Sequence, residues 1–324
     1  MVITIVASLI ALVLSLLFGV VYLDFLKKKL YNQPILKDAP KTHAKKSGTP
    51  TTGGVMIISA IIISSLIALP MEQVTSTKAF LILLTLIFFT LTGFQDDMQK
   101  ITKNENKGLS PKGKLFLQVA IAVLPTLYMF LNKMTTISIA NFEIDLSWFY
   151  PIFSVFVITG ASNAVNLTDG LDGLASSNCT IAFIACAILA IYAGNADIAI
   201  ICAATAGACL GFLYFNRHPA QVFMGDTGSL ALGGLLGTVA VIGKFELFLL
   251  FFGIIFITET LSVILQVTSF KLTGKRIFKM SPIHHHFELL GWNETKIVTV
   301  FSTVTFIFSA IGLTLFYLTK TGLI

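Results

Sequence analysis

Residues 2–23 read VITIVASLIALVLSLLFGVVYL, without a single charge, and are followed by Asp24 and Lys27-Lys28-Lys29. A bilayer core about 30 Å thick takes ~20 such residues to cross as a helix. Nine further runs of the same kind follow, at 52–69, 79–95, 114–131, 148–165, 174–193, 197–215, 228–243, 246–270 and 297–319. Composition agrees. Over 324 residues, 55% are hydrophobic and 12% are charged, with a mean hydropathy of +0.87. A soluble domain carries about 25% charged residues, and half that cannot cover the surface of a 35.1 kDa globule. A cytosolic enzyme, a disordered chain and a secreted disulfide scaffold are excluded. The expected fold is an all-α polytopic membrane protein of about ten transmembrane helices.

Charge placement gives the orientation. The first run has no basic residue before it and no small-residue cleavage site, so it reads as a retained span. The odd-numbered connections (24–51, 96–114, 166–173, 216–227 and 271–296) hold all but four of the 22 Lys and Arg. The exceptions are Lys78, Lys133, Lys244 and Lys320. By the positive-inside rule the odd connections are cytoplasmic and both termini lie outside. The net charge of +6 is then topology, and no nucleic-acid partner is expected. With no repeat, low-complexity stretch or soluble insert, residues 1–324 read as a single transmembrane domain. Gly207-x-x-x-Gly211 and Gly233-x-x-x-Gly237 are spacings that let helices approach closely in lipid. Cys179, Cys186, Cys202 and Cys209 lie inside apolar runs and read as small packing residues.

The remaining polar residues gather on one side. All 5 histidines fall there. "GFQDD" ends the third run with Asp96 and Asp97, which either cap a helix end or serve as a Mg²⁺ site or base. "NAVNLTDGLDGL" sets Asn163, Asn166, Asp169 and Asp172 at intervals of three, one face of a helical turn, with Gly170 and Leu171 between. "FNRHPAQVFMGDTGSL" carries Asn216, Phe223 and Asp226 at the start of the eighth run. A helix N-terminus there suits either a simple cap or a metal–phosphate group. "FKMSPIHHHFELLGW" holds His284, His285 and His286, which as neighbours cannot readily converge on one metal ion but can hydrogen-bond phosphate. Lys46, Thr51, Lys112 and Lys114 are either topology charge and loop or phosphate contacts. Glu259 is the one acid deep inside a span, the mark of an ion-coupled transporter.

These four motifs together resemble the bacterial phospho-N-acetylmuramoyl-pentapeptide transferases, within the polyprenyl-phosphate N-acetylhexosamine-1-phosphate transferase superfamily. The likeness runs from about residue 38 to 296. It implies transfer of phospho-N-acetylmuramoyl-pentapeptide from its UDP-linked precursor to undecaprenyl phosphate, with release of UMP, formation of lipid I and dependence on Mg²⁺. It implies catalytic roles for Asp96, Asp97, Asp226 and the three histidines, with Asp226 as metal ligand. Asn166, Asp169, Gly170, Leu171, Asp172 and Phe223 match positions near the uridine, and Asn216 and Lys46 match further polar positions of the site. A homodimer in the bacterial cytoplasmic membrane is also implied. Thr52 stands where that family leads one to expect methionine. The rivals are a related N-acetylglucosamine-1-phosphate transferase and, in a different class, an ion-coupled transporter using Glu259. The chemistry favours a transferase: attack of one phosphate anion on a diphosphate needs cations, and a lipid acceptor puts the site at the membrane edge.

Overall fold

The computed structural model describes residues 1–29, 48–74, 76–103, 108–139 and 142–323. The apolar runs become the helices α1 (Val2–Lys29), α2 (Gly54–Met71), α3 (Thr77–Lys103), α4 (Pro111–Leu131), α5 (Tyr150–Thr168), α6 (Leu174–Tyr192), α7 (Ala196–Asn216) and α8 (Gly225–Gly243). Then come the single turn α9 (Leu249–Phe252), α10 (Ile254–Thr273), α11 (Ile283–Leu289) and α12 (Glu294–Lys320). Ten of these segments, among the described residues, are long and apolar enough to cross a membrane, matching the ten runs of the sequence. The chain is a multi-pass membrane protein.

Two boundaries differ from the sequence reading. The run 246–270 is not one helix. Its first part is a 3-10 turn at Glu246–Phe248 and the short α9, and the chain breaks at Gly253 before α10 begins. Glu246 is held by the Tyr150 hydroxyl at 2.6 Å and by the Lys244 ammonium at 3.0 Å, which fixes the turn there. The third run continues well past "GFQDD": α3 ends only at Lys103. Asp96 and Lys100 are therefore one turn apart on a single helix, where i,i+4 partners meet.

α8 is the axis of the bundle and is buried along nearly its whole length. Its glycines allow this. A Cβ on Gly233 would lie 2.4 Å from the Ala161 carbonyl oxygen of α5, and one on Gly237 would lie 2.6 Å from Ile158 Cα. α7 packs on α1 in the same way, with Gly211 against Ser15 and the Ser15 hydroxyl donating to the Ala208 carbonyl at 2.9 Å. The four cysteines are buried and unpaired in α6 and α7. Between α4 and α5 the chain forms a two-stranded antiparallel hairpin, β1 (Thr136–Ile139) with β2 (Phe142–Asp145), Thr136 opposite Asp145. The hairpin and the Tyr150–Glu246–Lys244 group lie at the C-terminal end of α8. The ends of α3, α5, α7, α10 and α11 that carry the sequence motifs meet at its N-terminal end.

Candidate active site

Asp96 and Asp97 part company because neighbours on a helix point in different directions. Asp97, 3% exposed, turns to the N-terminus of α8. Its Oδ1 accepts from the Asp226 N–H at 3.0 Å, and its Oδ2 from the Thr227 N–H at 2.9 Å and the Thr227 hydroxyl at 2.6 Å. It caps α8 from another helix, an anion against the positive end of a helix dipole. Gly225, at φ +71°, lies directly beneath: a Cβ there would sit 2.5 Å from Asp97 Oδ2 and 2.8 Å from the hydroxyl of the buried Thr51. Asp96, also buried, turns to cations. Lys100 Nζ lies 2.7 Å and Lys114 Nζ 3.0 Å from its carboxylate oxygens. Both ammonium groups also reach Asp226 Oδ2, Lys114 at 2.5 Å and Lys100 at 3.3 Å. Asn166 donates to Asp226 Oδ1 at 3.0 Å and to the Ser229 hydroxyl at 2.8 Å. Lys112 is exposed and stands apart.

The turn after α5 lies beside this cluster. Asp169 is half-buried, and its carboxyl is pushed well above the usual carboxylate range by loss of solvation and by the charges of Asp226, Asp97 and Asp172. Asp172 accepts from the Ala220 N–H and the His218 ring, each at 3.0 Å, and His218 Nδ1 also lies 3.1 Å from Glu294 Oε2. Leu171 is core, packed with Leu174, Ile255, Ile297 and Phe301. Asn216 is committed to the scaffold: its Oδ1 accepts from Gly173 N–H and the Ser176 hydroxyl, and its Nδ2 donates to the Val222 carbonyl. Asn163 ties α5 to Gln118 of α4. Phe223 is half-buried, and its backbone pairs with Pro50 and Gly53, which brings Thr51 to the site. Thr52, the residue that departs from the family expectation, adopts φ +70° in that segment and shares a hydrogen bond with Tyr22. Lys46 falls outside the described residues.

The three histidines on α11 go three ways. His284 is wholly buried with Nδ1 3.0 Å from Glu259 Oε1. His285 meets Glu288 at 2.6 Å. His286 accepts from the Lys279 N–H at 3.1 Å and packs edge-on against Phe278. Gln266 of α10 holds the preceding loop through the N–H groups of Ile277 and Phe278, each at 2.9 Å. Glu259, the acid that suggested a transporter, is thus the buried partner of a motif histidine.

The motifs come together at one end of the bundle, and comparison with known proteins gives the family. The model of glycosyl transferase family 4 matches residues 79–244. A phospho-N-acetylmuramoyl-pentapeptide-transferase of Geobacillus kaustophilus (strain HTA426) is 47% identical over 314 residues, 95% of this chain and 97% of that protein. Proteins of the same name from Staphylococcus saprophyticus and Bacillus subtilis (strain 168) are 49% and 47% identical over 94% of this chain, covering 97% and 95% of their own lengths. The chain belongs to the phospho-N-acetylmuramoyl-pentapeptide transferase family. It is an enzyme, a transferase, and the transporter reading is not favoured.

Membership in this transferase family raises the question of a metal. Asp96, Asp97 and Asp226 bring carboxylate oxygens within 4.8 Å of one another. All-oxygen donors suit a hard cation such as Mg²⁺. Three carboxylates against two ammonium groups leave one formal negative charge, and a divalent cation would reverse its sign, as a diphosphate requires. Asp97 has spent both oxygens on α8, whereas Asp226 is only partly buried and is paired with the ammonium groups of Lys100 and Lys114. The donor set of Asp96, Asp97 and Asp226 therefore fits a hard divalent cation. Lys100 was missed as a site residue by the sequence reading; its signal was the i,i+4 spacing from Asp96. Glu294, His218 and Thr227 were also missed as site residues, and pair spacing alone contains no trace of their partners.

Proposed function

We propose that the chain transfers phospho-N-acetylmuramoyl-pentapeptide from its UDP-linked precursor to undecaprenyl phosphate, releasing UMP and forming lipid I. The observation that carries this is the Asp96–Asp226–Lys100–Lys114 cluster at the end of a membrane bundle, in a chain 47% identical over 95% of its length to a protein of that name. Asp226 would hold the Mg²⁺, which would supply charge neutralisation for the diphosphate and the leaving UMP. Lys100 and Lys114 are the cations free to exchange a carboxylate for a phosphate oxygen, so they draw the two anionic substrates together. Asp96 keeps both lysines at the site when it is empty. Asp97 fixes the α8 N-terminus on which Asp226 stands, and Asn166 orients the Asp226 carboxylate. The uridine is received by the 169–172 turn and Phe223, and His284, the motif histidine beside that turn, faces the donor. The reading places the site on the cytoplasmic side of a bacterial cytoplasmic membrane, supported by the lysine-rich connections at this end. The homodimer suggested by family resemblance is part of the same proposal and would be overturned by a single-chain mass in native detergent micelles.

Detergent-purified protein with undecaprenyl phosphate and the UDP-linked muramoyl-pentapeptide releases UMP with Mg²⁺ and not with EDTA. UDP-N-acetylglucosamine gives none; release from it instead moves the protein to the neighbouring transferase. Asp226→Asn loses about 10²–10³-fold in turnover, the scale seen when an electrostatic stabiliser is removed, while the protein still folds. An active Asp226→Asn variant overturns the metal assignment.

A further inference from the structure

His284 is wholly buried, and only one of its ring nitrogens has a protein partner. Nδ1 lies 3.0 Å from Glu259 Oε1, and the His284 backbone N–H donates to Glu259 Oε2 at 3.5 Å. Nε2 is buried without a hydrogen-bond partner among the described residues. It faces Gly170, where even a methyl group would overlap it. A buried polar atom left unpaired costs about 1–3 kcal/mol, so an orphan aimed at the substrate turn points to something that arrives with the substrate. Glu259 is itself 0% exposed and lies within α10, a position where a carboxylate is retained only with a partner.

An ionised carboxylate can only accept hydrogen bonds. Glu259 already accepts from the His284 backbone N–H, and as acceptor from the ring as well it takes the Nδ1 hydrogen, which in a neutral ring leaves Nε2 without one. We propose that Glu259 is a positioning residue: it holds His284 as the Nδ1–H tautomer, so that the bare Nε2 faces the 169–171 turn and accepts a hydrogen bond from an O–H or N–H of the nucleotide-sugar donor. This rests on the transferase reading. Gly170 belongs to the same device, because only a residue without a side chain lets the turn pack this closely on Nε2.

The test combines a spectrum with kinetics. In ¹⁵N-histidine-labelled protein, the resonance lost in His284→Gln carries a protonated Nδ1 and a bare Nε2. Adding the UDP-linked muramoyl-pentapeptide shifts that Nε2 as an accepted hydrogen bond does. Glu259→Leu loses the tautomer preference and loses about 10–100-fold in kcat/KM, the usual effect of removing a partner that orients a working histidine. The loss falls on KM for the nucleotide sugar, with KM for the lipid phosphate unchanged. Glu259→Gln, which can still accept from Nδ1–H, restores the tautomer and part of the loss. The double variant Glu259→Leu/His284→Gln is no worse than His284→Gln. An Nε2–H tautomer in the unmodified protein overturns the proposal, as does a loss at Glu259 that persists undiminished without His284. Should Glu259→Leu fail to fold, the unmodified spectrum and the Gln variant decide. Absence of UMP release from the unmodified enzyme would instead overturn the transferase reading, leaving the tautomer to be judged on the spectrum.

Discussion

Asp169 stands among Asp226, Asp97 and Asp172, and its carboxyl makes no hydrogen bond or ion pair among the described residues. Loss of solvation and these like charges raise its pKa well above the usual range. The sign for stability follows. The unfolded chain releases this proton near pH ~4, and the folded chain keeps it to higher pH. Folded protein therefore binds more protons in between, and stability falls as pH rises across that window. Asp169→Asn should match the unmodified protein in thermal stability at pH 4 and exceed it at pH 8; equal melting at both values would contradict the repulsion. The sequence placed Asp169 at the site, but not the carboxylates of Asp226, Asp97 and Asp172 around it, whose charge outweighs that of Lys100. Lys100 was within reach of sequence reading, since it stands four residues from Asp96. The Glu259–His284 pair was not, because its members are 25 residues apart and come together only through the fold of the 274–282 loop.

Asp97, the Lys100–Asp226 pair and Phe89 against Gly234 dock α3 on α8. Asp97 takes the first N–H groups of α8, and the close packing of Gly93 of α3 on the Asp226 carbonyl leaves no room for slippage. Asp97→Asn sets an amide N–H₂ against N–H donors and should cost about 1–3 kcal/mol of stability, read as a lower melting temperature with a loss of activity. Asp96→Asn, which leaves the α8 cap intact, should lose activity with a much smaller melting shift. Equal melting shifts would contradict this division. That neighbouring aspartates on a helix face apart, one of them toward a lysine, was legible in the sequence; which of the two does so was not, since they look alike until their helix meets its neighbours. The break at Gly253 was hidden for another reason: phenylalanine and leucine on both sides keep hydropathy high, and hydropathy does not register a backbone bend.

The lysine distribution predicts the orientation of the whole bundle. A membrane-impermeant maleimide should label Lys275→Cys only after the cytoplasmic face is opened and Glu143→Cys in intact cells; both replaced residues are exposed, and the native cysteines are buried. Reversed labelling would invert the topology and the placement of the site. The ten spans, their grouping of polar motifs at one end and the reaction class were legible in the chain, because lipid forces every spanning backbone to be helical and expels charge to the interfaces. Those constraints act on each residue through its own composition and neighbours in sequence. Tertiary structure alone decided that Asp97 caps while Asp96 holds lysines, that Lys114 and not Lys112 reaches the cluster, and that Glu259 serves a histidine. Each depends on which atoms of distant segments come within about 3 Å, a distance that no pattern along the chain encodes.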